Sequence, residues 1–203
     1  MATRPVIEFY FSFISLWSYI GSRRFQQLAK QTNAQIVYKP IDLLHIFSIS
    51  GGLPVKQRSE QRQAYRLLEM ERWRKIRDIP IVQQPKFYPA DPSLAHRVLL
   101  AAIEEKGADK AVWARELDIA DRGTIIQLAD ESGLEGARLL KRAESESYLA
   151  KQEADLVEEA ELRNVFGAPF YILNGESFWG QDRLEMLQEV IESGRGPIYA
   201  PDS

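Results

Sequence analysis

The chain has no cysteine in 203 residues, which excludes a disulfide framework, a thiolate metal site and any catalytic thiol of its own. Histidine is scarce as well. His45 and His96 are the only two, too few for a zinc site built on imidazoles, so no metal is expected. An excess of charge of one sign is also missing. Lys and Arg number 26 against 29 Asp and Glu, a net charge of −3, which argues against nucleic acid as a partner because phosphates call for a concentrated cationic surface. Arg58, Arg62, Arg66, Arg72, Arg74 and Arg77 are interspersed with Glu60, Glu69 and Glu71, the mixed pattern of a solvated helix face. Hydrophobic runs fall well short of a bilayer span. Met1-Ala2-Thr3-Arg4-Pro5 leads directly into a strand-like segment without the marks of a signal peptide. These absences together describe a cytoplasmic protein with neither membrane nor nucleic acid as partner.

What is present suits one domain with a large insertion, or two small domains sharing a core. Residues 6–13 are aromatic and β-branched, with Glu8 and Ser12 the only polar interruptions, and read as a buried strand. Ser15 then precedes a run with apolar residues at Trp17, Ile20, Phe25, Leu28 and Ala29, an amphipathic helix with Ser15 at or near its N-cap. A second strand is expected over 35–41, giving a β-α-β unit with parallel strands and a right-handed crossover. Residues 48–54 read as a loop and 57–76 as a long charged helix, and Pro80, Pro85, Pro89 and Pro92 make an extended connector. Helices are expected over 93–106, 110–122, 124–132, 135–145 and 148–164, punctuated by Gly107, Gly123 and Gly133. Two short apolar runs, 170–173 and 176–179, flank Asn174-Gly175, a hairpin signal. A last helix follows, ending near Gly194. The order β-α-β, helical block, β-β-α matches an α/β thioredoxin-like core split by a large all-helical insertion, with boundaries expected at 1–47, 48–163 and 164–203.

Three constellations could carry chemistry. Ser15-Leu16-Trp17-Ser18 stands where thioredoxin-like folds hold their Cys-x-x-Cys pair, at a helix start whose dipole and free N–H groups stabilise a thiolate. With serine at both cysteine positions the chain cannot do dithiol chemistry, but a hydroxyl there can stabilise a thiolate brought in by a ligand; alternatively Ser15 only caps the helix. Ala168-Pro169 at a strand start is compatible with a cis peptide, leaving the Ala168 backbone open to pair with a peptide-like ligand, or it is an ordinary edge-strand proline. Asp182 with Glu185 reads as a capping box. In the functional alternative Asp182 and its neighbouring backbone hold the ends of a zwitterionic ligand at the helix N-terminus. His45 near Asp42 is an acid/base candidate, with a structural histidine the simpler reading. Trp73, Phe87, Tyr88 and Trp113 are core aromatics on the plain reading, yet Tyr65, Trp73 and Phe87, with Trp17 beside Ser15, could wall a cleft for an aromatic substrate. No Gly-x-Ser-x-Gly elbow supports a serine hydrolase.

Phe9-Tyr10-Phe11-Ser12-Phe13-Ile14-Ser15-Leu16-Trp17-Ser18-Tyr19 resembles the N-terminal signature of the 2-hydroxychromene-2-carboxylate isomerases and the kappa-class glutathione transferases. Val165-Phe166-Gly167-Ala168-Pro169 and Phe178-Trp179-Gly180-Gln181-Asp182-Arg183-Leu184 resemble their C-terminal signatures, and residues 54–73 align with them too. The resemblance implies a DsbA-like thioredoxin fold, glutathione as cofactor and a homodimer. It implies that Ser15 activates glutathione, that Ala168 beside a cis Pro169 pairs with the tripeptide backbone, and that Gln181 and Asp182 hold its γ-glutamyl end. The implied reaction is cis–trans isomerisation of a hydroxychromene-carboxylate-type intermediate of aromatic degradation. The alternatives are a transferase that keeps the glutathione adduct and, in another class, a redox-inactive binding or chaperone module. Ser12 and Leu16 replace the Asp and Pro usual in the first signature, and Gly51 or Gly52 replaces an Asn often found after the second strand.

Overall fold

The computed structural model describes residues 4–106 and 118–199. Strand β1 (Val6–Phe11) leads through helix α1 (Leu16–Gln31) to β2 (Gln35–Pro40), which pairs with it in parallel from Val6 opposite Gln35 to Phe11 opposite Pro40. Helices α2 (Leu43–Ser50), α3 (Glu60–Arg77), α4 (Ser93–Lys106), α5 (Arg122–Glu131), α6 (Gly136–Ser145) and α7 (Ser147–Leu162) follow. The chain then returns to the sheet as β3 (Phe170–Leu173) and β4 (Glu176–Trp179), and closes with α8 (Leu184–Ser193). The sheet order is β2-β1-β3-β4, with β3 antiparallel to both of its neighbours. Asn174 and Gly175 turn the hairpin at φ 52° and 85°, the pair of positive angles that a two-residue turn between twisted strands requires.

Alternation along the strands explains the layers. Ile7, Phe9 and Phe11 of β1 with Tyr171 and Leu173 of β3 pack against Phe25 and Leu28 of α1 and Leu184 and Leu187 of α8. Tyr10, Phe170 and Ile172 point the other way, onto Ile46 of α2 and Ala160 of α7. A separate apolar cluster joins α4, α5, α6 and α7 through Ala101, Ile125, Leu139 and Leu149. The fold is therefore a thioredoxin-like α/β core interrupted by helices. No helix among the described residues is long and apolar enough to cross a membrane.

The structure revises several local expectations. Strand β2 ends at Pro40, one residue short of the expected 41, and helix α2 takes up the first part of the loop read over 48–54. Asp42 caps α2, its Oδ1 accepting from the Leu44 and His45 amides at 3.0 and 3.1 Å, and Gly51 ends it at φ 78°. The Asp42–His45 acid/base pair is thus a helix cap, and the His45 ring instead sits 2.8 Å from Glu161. Helix α3 starts at Glu60 rather than 57, because Ser59 caps it after a 3₁₀ turn at Val55–Gln57. The helix expected over 110–122, with Trp113, lies largely outside the described residues; α5 begins at Arg122 under an Asp121 cap.

Candidate active site

Beyond Phe11 the chain bends so that the Ser15 amide donates to the Ser12 carbonyl at 2.9 Å. Ser15 then caps α1: its Oγ accepts from the Ser18 amide at 3.2 Å and donates to the Ala168 carbonyl at 3.0 Å. Only 4% of Ser15 is exposed, and the first turn of α1 carries no acidic residue. The positive end of the helix dipole is therefore uncancelled beside a hydroxyl.

Behind this loop lies a chain the sequence reading did not assemble. His96 of α4, fully buried, has Nδ1 at 3.0 Å from Glu153 of α7, while its Nε2 lies 3.4 Å from the Phe13 amide and 3.5 Å from Ser12 Oγ. The Phe13 N–H can only donate, so Nε2 accepts and Nδ1–H points to Glu153. Ser12 is itself fully buried. The Ser–His–Glu arrangement is thus a tether from α4 and α7 to the β1–α1 loop, not a hydrolytic triad. A lone histidine on the apolar face of α4 was its one sequence signal.

The Ala168–Pro169 peptide is cis. Its Ala168 carbonyl takes the Ser15 hydroxyl, no hydrogen bond to the Ala168 amide occurs among the described residues, and the Pro169 carbonyl accepts from the Gly180 amide at 3.0 Å. Gly180 adopts φ 105°, open to glycine almost alone. That bend starts a 3₁₀ turn, Gln181–Arg183, in place of the expected capping box: the N-cap of α8 is Arg183, without a side-chain bond. Asp182, 46% exposed, pairs with Arg183 at 2.8 Å, and Glu185 pairs with Arg77 and Arg24 instead. Gln181 is buried, and its Oε1 accepts from Arg77 Nε and Nη2 at 3.3 Å. Arg77 in turn lies 5.0 Å from the Trp73 ring centre.

A cavity of about 580 Å³ opens between the start of α1, the connector at 80–90 and helices α3, α4 and α5. Ser15, Leu16 and Tyr19 form its core side, and Tyr19 Oη donates to the Pro80 carbonyl at 2.7 Å, tacking the connector in place. Of the site residues expected from sequence, Ser15 and Phe87 line the cavity, as does Tyr88, which the plain reading put in the core. Ala168 joins them through its bond to Ser15. Trp17, Tyr65, Trp73, Pro169, Gln181 and Asp182 are not in its lining. Tyr65 is 58% exposed under Arg72, and Trp73 belongs to the Arg77–Gln181 cluster. No group of three metal-ligating side chains occurs among the described residues.

Comparison with known proteins agrees with this fold. The model of the DSBA-like thioredoxin domain matches residues 6–192. A 2-hydroxychromene-2-carboxylate isomerase of Sphingobium xenophagum is 26% identical over 196 residues, covering 91% of this chain and 97% of the relative. Glutathione S-transferase kappa 1 of Caenorhabditis elegans is 25% identical over 225 residues, covering 100% and 96%. A solved structure of a 2-hydroxychromene-2-carboxylate isomerase superposes with a TM-score of 0.75 at 24% identity, over 93% of this chain and 95% of that one; that likeness shows the fold.

Proposed function

The chain belongs to the DsbA-like thioredoxin family, and from that premise we propose that it is a glutathione-dependent cis–trans isomerase acting on a 2-hydroxychromene-2-carboxylate-type intermediate of aromatic degradation. The observation that carries this reading is Ser15. In a chain without cysteine, a serine hydroxyl stands at the uncancelled N-terminus of α1 and opens onto a large cavity.

The residues present fit glutathione. The Ala168 amide is unpaired among the described residues and its carbonyl has a second lone pair, which is what an extended peptide needs for two backbone hydrogen bonds. Asp182 is exposed enough to take an ammonium group, and Arg77 holds the neighbouring Gln181 through its Oε1 at the start of the same turn. When bound, glutathione supplies a thiolate that adds to a conjugated double bond and leaves again after rotation, so it is regenerated. Ser15 has one proton to donate, and its hydroxyl turns from the Ala168 carbonyl toward the sulfur. The freed carbonyl then accepts from the tripeptide. Phe87 and the apolar cavity walls exclude water and hold the flat substrate. The C. elegans relative favours a second reading, a transferase.

Turnover measured at substoichiometric glutathione separates these readings. The isomerase needs glutathione and returns it, and Ser15→Ala lowers kcat by about 10²–10³-fold, the usual loss for one preorganised donor. Stoichiometric consumption of glutathione would establish the transferase. Turnover that ignores glutathione would sink both.

A further inference from the structure

The cavity is one-sided in charge. Its walls are apolar, drawn from Leu67 and Met70 of α3, Val98 of α4 and Ile125 of α5, while its charged lining residues are Lys56, Arg66 and Lys86. No carboxylate lines it among the described residues. Lys56 and Lys86 are exposed and solvated, but Arg66 is half-buried. Among the described residues its one side-chain hydrogen bond runs from Nη1 to Met70 Sδ at 3.1 Å, a weak acceptor, and its guanidinium lies 5.9 Å from the Tyr88 ring centre. Elsewhere on the same helix Arg72 and Arg74 hold Glu69 and Glu71 at 2.5 and 2.8 Å. Arg66 has no such counter-ion among the described residues. Burial lowers its proton affinity, with Tyr88 and Arg58 acting in opposite senses, yet a guanidinium remains charged near neutrality. A half-desolvated cation with most of its five donors unused, facing an apolar space, is matched by an anion.

We propose that Arg66 is the acid-recognising residue of this cavity, which takes an apolar carboxylate with the acid group on the Arg66 guanidinium and the hydrocarbon or aromatic body among Leu67, Met70, Val98 and Ile125. The planar fork suits a carboxylate bidentately. Ser15 lines the same cavity, so an acid anchored at Arg66 presents its body to the thiolate site. Neutral and cationic electrophiles leave Arg66 unpaired and are selected against. Lys56 and Lys86, being exposed, speed encounter more than they discriminate. The proposal rests on the isomerase reading only in treating this cavity as the electrophile's site.

Calorimetric titration with naphthoate and with naphthamide, which keeps the body and removes the charge, tests it in the wild type, Arg66→Leu and Arg66→Lys. The wild type binds naphthoate about tenfold or more tighter than naphthamide, as a charge-assisted hydrogen bond implies. Arg66→Leu removes that preference, Arg66→Lys keeps part of it, and naphthamide affinity, which also reports an intact cavity, stays the same in all three. Equal affinities in the wild type, a preference that survives Arg66→Leu, or no binding of either compound overturns the assignment. Glutathione titrated separately keeps the two readings apart. Naphthoate bound through Arg66 without glutathione binding leaves the acid site standing and removes the cofactor; the reverse result removes the acid site alone.

Discussion

At Ser15 a single hydroxyl meets the Ser18 amide of α1 on one side and the Ala168 carbonyl on the other, so its structural and chemical roles share one oxygen. Replacing it by alanine removes a cap and a tertiary hydrogen bond together, a loss of about 1–2 kcal/mol, and stability alone cannot then report on chemistry. Ser15→Cys can. The chain has no other thiol, so absorbance titrated with pH reads that one sulfur. The helix start and the absence of an acidic residue in its first turn favour the charged form, and the thiol is expected to titrate clearly below the ordinary value of about 8.5. A value at or above that would show that this position does not stabilise negative sulfur, and the isomerase reading would lose its central residue. Ser15 was legible in the sequence because capping is a local matter of a few residues. Arg66, Arg77 and His96 were not: their partners and surroundings come from distant parts of the chain, and a mixed-charge helix reads as solvated whichever of its arginines turns inward.

Elements follow the same division. The strands, the Asn174-Gly175 hairpin and helices α1 and α4 follow from period and punctuation, whereas α2 escaped because an eight-residue apolar stretch has no helical period to show, and only Asp42 announces it. Docking between elements was less visible still. Gly21 in α1 looks like a weak point, since alanine is favoured in a helix by about 1 kcal/mol. Yet a Cβ there would lie 2.7 Å from Gln181 Cβ and 3.3 Å from Tyr171 Oη, so the glycine lets α1 approach both β3 and the turn that carries Gln181 and Asp182. Gly21→Ala is expected to destabilise by about 1–3 kcal/mol, the overpacking penalty exceeding the propensity gain. Urea denaturation decides the sign. A stabilised variant would mean that the turn moves freely away from α1, and that Gln181 is not held by this packing.

Across the whole molecule, core and helical insertion are joined by polar ties as well as by the cavity. The Glu153–His96 pair holds the β1–α1 loop. On the far face of the sheet, Lys39 of β2 binds Glu8 of β1 at 2.6 Å and Glu159 of α7 at 2.5 Å, with Tyr10 Oη donating to Glu159 at 2.9 Å and Arg163 reaching Glu8 at 3.3 Å. Burial by itself would raise the Glu159 pKa, but the hydrogen bonds from Lys39 and Tyr10 and the charges of Lys39 and Arg163 bring it below the usual range. Because the folded value is depressed, this carboxylate stabilises the fold above its unfolded pKa of about 4.3, and the contribution fades as pH falls through the lower folded value. Lys39→Met inverts that logic. Glu8 and Glu159 lose their shared cation and repel at neutral pH, so the variant is expected to be less stable at pH 7 by about 1–2 kcal/mol, a figure kept small because Glu159 is 35% exposed. Its Glu159 then titrates higher, protonation relieves the repulsion, and its deficit narrows as the pH falls toward 4. Urea midpoints of both proteins at neutral and acid pH measure this. A deficit that stays constant with pH would show that Lys39 joins the sheet to α7 by packing its methylenes and not by its charge.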